Sequence, residues 1–267
     1  MKVRAAVAAV MAGVLLASGA RADTVDAPAT ATAYAVRLNP PRTPMIGGCR
    51  VFPTDNAWNQ NIRNAPLRAR SNETIAYIQA HGADFLHADF GENQSYGIPY
   101  VVVPQSQPLV PITYTDYGDE SDPGPMPIPL NAPVEAGSDH HILVVRQGTC
   151  DLYELFGATR TTNGWAAASG ARFDLTSNAL RPLGWTSADA AGLPITPGLV
   201  RYEEVAAGHI DHAIRVTFDT TQRGFILPAT HFASSTTSAD APPMGLRLRL
   251  KASYDVTRLT GQARVIA

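Results

Sequence analysis

Apolar and polar residues alternate with a period of two along several stretches of the chain. Leu246, Leu248 and Leu250 interleave with Arg247, Arg249 and Lys251, and the run from Ile210 to Phe218 sets Ile210, His212, Ile214, Val216 and Phe218 against polar or small neighbours. Successive side chains of a strand point to opposite faces, so both segments are predicted to be half-buried strands. Tyr100 to Val103 and Ala171 to Leu175 fit the same template. His141 to Arg146, then Gln147-Gly148, then Thr149 to Phe156 reads as a β-hairpin. Helical signals are few. Asn72 to Ala80 is the best, with Ile75 and Ile78 three apart, Ser71 or Asn72 as the start and Gly82 as the stop. Short helices are also expected after Ser187, ending at Gly192, and over Arg201 to Ala207 before Gly208.

Nine of the 21 prolines lie between Pro99 and Pro133, most densely around Pro123, Pro125, Pro127 and Pro129. Proline lacks the amide donor that a ladder needs, so this stretch is predicted as an extended loop over a sheet edge or the mouth of a cleft. Strands joined by long ordered loops predict a mainly β fold: a single two-sheet sandwich or jelly-roll domain over residues 49–267, with one or two short helices. Residues 23–48 are rich in Ala, Thr and Pro with few large apolar side chains, and are expected to form a disordered leader.

The chain is 45% hydrophobic and 16% charged, enough apolar material for a core. Lys2 and Lys251 are the only lysines and the formal net charge is −2, so no basic tract exists to neutralise a phosphate backbone, and nucleic acid is excluded as a partner. Residues 1–22 have the three parts of a secretory signal: Lys2 and Arg4, an apolar run from Ala5 to Leu16, and the small-residue site Ala20-Arg21-Ala22. A membrane anchor needs roughly 17 to 25 apolar residues. Cleavage after Ala22 is therefore expected, giving a secreted or periplasmic chain with 18 basic and 23 acidic residues and no membrane insertion. Cys49 and Cys150 are the only cysteines, and in an oxidising compartment they are expected to pair as a disulfide; the competing reading is a nucleophilic cysteine.

The segment Trp185-Thr186-Ser187-Ala188-Asp189-Ala190-Ala191-Gly192-Leu193-Pro194-Ile195, together with Arg201-Tyr202-Glu203-Glu204-Val205, His212-Ala213-Ile214-Arg215 and Pro243-Met244-Gly245-Leu246-Arg247, resembles a family of secreted bacterial proteins. The resemblance runs from Cys49 to the C-terminus. It implies export and a single intact domain, and it assigns no residue a task.

Candidate chemistry comes first from the hairpin. A two-residue turn at Gln147-Gly148 sets His141 opposite Glu154, and a bulge at Gly148 sets His140 there instead. A histidine meets Glu154 in either register, and in the first Leu143, Leu152 and Phe156 share the face of the pair. An unpaired charge costs several kcal/mol to bury, so the pair must be hydrogen-bonded structurally or functional. His212 shares its predicted face with Ile210, Ile214 and Val216, as a core histidine or a further site residue. Converging with Glu154 and the His140-His141 doublet, it would complete a metal-binding set; spacing alone does not establish that, and no cofactor is assigned. His209 and His212 lie three apart, which in a strand is opposite faces.

Among the carboxylates, Asp174, Asp189, Glu203 and Glu204 suit acid–base work, Asp189 also fitting a helix N-terminus and Glu203-Glu204 a solvated face. Trp185, Tyr202 and Arg201 are candidate substrate contacts, and Trp58 and Trp165 add flat apolar faces or core packing. No serine-hydrolase, zincin, P-loop or dinucleotide signature is present. The expected function is a secreted carbohydrate-active enzyme, a glycosidase or polysaccharide lyase. Its catalytic candidates are Glu154, His141, His140, His212, Glu204 and Asp189, acting on polysaccharide. The alternatives are a non-catalytic exported carbohydrate-binding or envelope-associated protein and a metal-dependent jelly-roll enzyme.

Overall fold

A computed structural model describes residues 43–82 and 97–267. The expected signal, residues 1–22, and the first part of the expected leader lie outside the described residues. In chain order the elements are β1 (Met45–Ile46), β2 (Cys49–Arg50), α1 (Ser71–His81), β3 (Tyr100–Val103), β4 (Ile112–Tyr114), β5 (Ile142–Arg146), β6 (Asp151–Phe156), β7 (Thr159–Arg160), β8 (Trp165–Ala167), β9 (Ser169–Asp174), α2 (Tyr202–Ala207) and α3 (Gly261–Ile266).

Strands dominate, in mixed sheets. The main sheet has the order β3-β5-β6-β9, with β3 parallel to β5 and the other pairs antiparallel; a smaller sheet runs β4-β8-β7. Ile142 to Val145 of β5 and Leu152 and Leu155 of β6 are fully buried, because both faces of the main sheet are covered. One face carries Val103, Ile142, Val144, Tyr153 and Leu155, which share a cluster with Trp165 and Ala167 of the smaller sheet. Met126 and Ile128 of the proline-rich stretch join that cluster, so part of the loop packs on the face of the sheet where the sequence reading put it over an edge or a cleft mouth. The opposite face carries Val145, Leu152, Ala171 and Phe173 against Ile46, Cys49, Val51 and Phe52.

The hairpin forms, in a different register. Leu143 stands opposite Glu154 and Arg146 opposite Asp151, leaving a four-residue connection, Gln147 to Cys150. Gly148 and Cys150 both take a positive φ, 81° and 56°, which lengthens the turn beyond two residues. Neither His140 nor His141 therefore pairs with Glu154. The slip is two residues, so side-chain parity survives, and His141 shares a face with Glu154 one step along the strand.

Two predicted strands are absent. Residues 210–218 and 246–251 make isolated contacts in place of a ladder. The Ala213 amide donates to the Trp58 carbonyl at 2.8 Å and the Arg215 amide to that of Gly198 at 2.9 Å. Arg247 and Arg249 use their guanidiniums to hold the loop at Gln60 to Ala65. Ile214, Val216, Leu248 and Leu250 are exposed, so the alternation marks no buried face here, and neither run has a neighbouring strand to bond.

Residues 43–48 differ from the expected leader. Met45 and Ile46 pair with Arg50 and Cys49 across Gly47-Gly48, whose φ values of 58° and 85° suit a two-residue hairpin turn. Ile46 enters the core, which fixes this end of the ribbon. α1 and α2 form close to the expected boundaries, both followed by glycine, whereas Ser187 to Gly192 is a turn held by the Ser187 hydroxyl, which accepts from the Asp189 amide. Cys49 and Cys150 form a disulfide. Among the described residues no helix is long and apolar enough to cross a membrane.

Candidate functional site beside the second helix

One transverse row of the main sheet, Tyr100, Leu143, Glu154 and Ala171, organises the polar groups on its face. Glu154 sits in the interior of that row and is 0% exposed. Its carboxylate accepts from the Ile195 amide at 2.9 Å, the Thr196 amide at 2.8 Å and the Thr196 hydroxyl at 2.8 Å. Burial raises its pKa above the ordinary value, against the pull of those donors and of His141. These contacts lash the 195–196 loop to the sheet.

His141 is buried too. Its Nε2 donates to the Ala188 carbonyl at 3.0 Å, and its Nδ1 lies 2.6 Å from a Glu135 oxygen. It ties the loop before β5 to the Ala188 turn. His140 is exposed with φ 47°, and its carbonyl accepts from the Ala158 amide. Asp189 accepts from its near neighbour, the Ala191 amide, and from Arg215 at 2.6 Å.

A second polar group forms at the outer end of the row, where the Tyr100 hydroxyl donates to Glu203 at 3.0 Å. Arg201, extended at the start of α2, is the hub. Its side chain is 2% exposed. Nε donates to Glu203 at 3.0 Å, and Nη2 is paired with Glu204. Glu204 also caps the helix start by accepting from the Arg201 amide at 3.2 Å, and accepts from His212 Nε2 at 3.0 Å. His212 Nδ1 lies 2.8 Å from the Ala213 carbonyl, which fixes the ring. The remaining nitrogen of Arg201, Nη1, is buried without an acceptor. A buried unpaired guanidinium donor is costly.

Arg201, Glu203 and Glu204 line a cavity of about 240 Å³ with Ala207, His209, Asp211 and, from the ribbon side, Thr43, Pro44 and Met45. Glu203 keeps 55% of its side chain exposed. Burial pushes its pKa up, but its own backbone amide, the Tyr100 hydroxyl and Arg201 outweigh that and hold it below the ordinary value. Burial and the neighbouring Glu203 raise the Tyr100 phenol. The cavity thus presents an ionised carboxylate beside a protonated phenol.

The structure brings together Arg201, Glu204 and His212 of the residues singled out from the sequence, and separately Glu154 and His141. The two sets lie on different polar networks, so the convergence of His212 with Glu154 and the histidine doublet does not occur. Among the described residues no three His, Cys, Asp or Glu side chains are grouped to hold a metal ion. Tyr202, beside Arg201 in the chain, is 82% exposed. Trp185 lies 5.6 Å from the Arg181 guanidinium, Trp58 packs against the second core cluster and Trp165 is buried in the first, so the tryptophans do not share a groove. Tyr100 was missed as a site residue because nothing local in Tyr100 to Val103 says which helix will dock at that edge. His209, set apart from His212 by the strand reading of its segment, lies 3.1 Å from Asp211, which the sequence did not single out.

Compared with known protein families, curated proteins and solved structures, the chain matches none. Its function has to be argued from the site.

Proposed function

We propose that this chain is an exported, non-catalytic carbohydrate-binding protein, built on a two-sheet sandwich and taking its ligand at the cavity beside α2. The observation that carries the reading is the cavity itself, which Arg201 helps to line and which offers the half-exposed Glu203 carboxylate. Sugar hydroxyls donate as well as accept, so one can bond the exposed Glu203 carboxylate. The cavity falls just below the usual range of about 300–1,000 Å³ for small-molecule sites, which suits the end or one unit of a polymer. Tyr202, next to Arg201 in the chain and exposed outside the cavity lining, supplies an aromatic face of the kind that sugar rings stack on.

The glycosidase or lyase reading needs a proton donor that substrate can reach. Glu154, the carboxylate with a raised pKa, is wholly buried and bonded to loop amides, and Glu203 is held ionised. Binding is therefore put ahead of catalysis.

The protein, screened against cell-wall and storage polysaccharides, should be retained on at least one without releasing reducing ends or unsaturated sugars. Tyr202→Ala should weaken that retention about tenfold, the equivalent of about 1.4 kcal/mol. New sugar products would restore the enzyme reading; failure to bind any polymer would remove both. Mass spectrometry of exported material should find Asp23 as the first residue, and an uncleaved N-terminus would refute the export part of the proposal.

A further inference from the structure

We propose that the surface formed by residues 63–68 and 246–251 is a docking face for an anionic phospholipid bilayer, on which the chain lies without crossing it. The proposal is independent of the cavity beside α2. The two segments hold twelve residues, of which Arg63, Arg68, Arg247, Arg249 and Lys251 are basic and none is acidic. Residues 23–267 as a whole have 18 basic and 23 acidic side chains, so this positive charge is local and opposes the sign of the rest. Neither segment is a basic tract by itself. The fold joins them: Arg247 Nη1 donates to the Gln60 side chain at 3.2 Å, and Arg249 Nη1 donates to the Ala65 carbonyl at 2.8 Å and to that of Ile62.

These acceptors are neutral, so they fix the two guanidiniums in place and leave their charge uncompensated. Among the described residues none of the five basic side chains forms an ion pair. Of the acidic groups nearest in the chain, Asp240 pairs with Arg70, Glu73 adds its field to that same arginine, and Asp255 lies 3.4 Å from Arg258. All five basic residues are exposed. Leucines are interleaved with them: Leu67, 72% exposed, precedes Arg68, and the exposed Leu248 and Leu250 separate Arg247, Arg249 and Lys251. Half-exposed Tyr254 follows three residues on. Charge alone would suit any polyanion. Exposed leucines between the charges gain nothing from a hydrated acidic polymer, whereas a bilayer interface takes both, the apolar side chains entering the acyl boundary while the cations meet headgroup phosphates. Each basic residue held near an anionic bilayer strengthens binding about fivefold.

The test uses the mature chain and two kinds of vesicle, pure phosphatidylcholine and an equal mixture of phosphatidylcholine with phosphatidylglycerol. Co-sedimentation should show binding at least about tenfold tighter to the mixed vesicles, weakening as salt is raised because exposed charges are screened. Arg63→Gln, Arg68→Gln and Lys251→Gln combined remove three exposed charges whose side chains make no hydrogen bond among the described residues. That variant should bind the mixed vesicles about a hundredfold more weakly, with its circular dichroism and urea midpoint unchanged. Leu67→Ser with Leu250→Ser should weaken the same binding about tenfold and leave retention on dextran sulfate, a polyanion without an apolar phase, as it was. Equal binding to the two vesicle types, or binding to neither, would overturn the proposal, as would mixed-vesicle binding that the triple variant retains in full. Loss with the charge variant but not with the leucine variant would overturn the bilayer as the partner and make the face a site for acidic polymers. None of these outcomes bears on sugar binding beside α2.

Discussion

Glu154→Ala is expected to destabilise the folded chain by about 3–5 kcal/mol at neutral pH, because three buried donors lose their acceptor. Alanine leaves the Ile195 amide, the Thr196 amide and the Thr196 hydroxyl facing the space the carboxylate filled, and each unsatisfied buried donor costs roughly 1–3 kcal/mol. Relief of the buried charge offsets part of that sum. Glu154→Gln keeps the shape and one acceptor oxygen, so it should cost about 1–2 kcal/mol. The two variants also differ from the wild type in pH dependence. Burial raises the Glu154 pKa in the folded state above the ordinary 4.5, so the folded chain binds its proton more tightly than the unfolded chain does. Stability from this group is therefore full below about pH 4.5 and is lost as pH rises through the folded value. Urea unfolding across this range should show the wild type's advantage over Glu154→Gln largest in acid and shrinking as pH rises. An advantage that grows with pH would mean that the donors, rather than burial, set the carboxylate's proton affinity.

How far the sequence foretold this arrangement depended on how local each cause was. β5 and β6 were legible because their apolar runs meet across a short glycine-containing connection, and α2 because Gly208 stops it. The hairpin register was not, since the positive φ of Cys150, a residue fixed from afar by Cys49, lengthens the connection by two residues. The strand readings of 210–218 and 246–251 failed for a related reason: alternation predicts a covered face, and the tertiary fold brings neither a strand nor a core against Ile214, Val216, Leu248 and Leu250. The ribbon at Met45 to Arg50 was hidden by the Ala/Thr/Pro-rich stretch before it, although Ile46-Gly47-Gly48-Cys49 carries a hairpin signal of its own.

The site followed the same division. Arg201, Glu204 and His212 could be singled out one by one, since a carboxylate three residues after an arginine and a histidine on an apolar face are visible locally. Their union around one guanidinium was not visible, because it depends on the turn that carries the chain from Gly208 back to His212, and on β3 reaching the same edge to present Tyr100. Glu154 illustrates the converse. Its apolar neighbours correctly suggested burial, yet the partners that satisfy it are main-chain amides some 40 residues away, which no pattern of side chains announces.

Replacing both Cys49 and Cys150 by serine is expected to cost up to about 4.7 kcal/mol, the chain-entropy value for a cross-link that closes a loop of about 100 residues, as this one does. Against a typical domain stability of about 5–15 kcal/mol, such a loss moves the chain close to unfolding. The bridge also has a local task. It fastens the β1–β2 ribbon to the connection between β5 and β6, and Cys49 is packed with Val51, Leu152 and Leu175 in the core cluster on that face. A buried serine hydroxyl in place of each sulfur adds a polar group to that cluster, so reduction of the native protein separates the effect of the cross-link from that of the new side chain. Thr43, Pro44 and Met45 at the start of the ribbon form one wall of the cavity beside α2. Reduction should therefore weaken sugar binding more than tenfold at denaturant concentrations where the sheet remains folded, because the wall loosens before the core does. Urea unfolding with and without reductant gives the first quantity, and sugar titration of the reduced, still folded chain gives the second. A loss of stability below about 1 kcal/mol would show that the ribbon is held by Ile46 and its neighbours without help. Unchanged binding after reduction would separate the ribbon from the site and leave Arg201, Glu203 and Glu204 to hold the ligand alone.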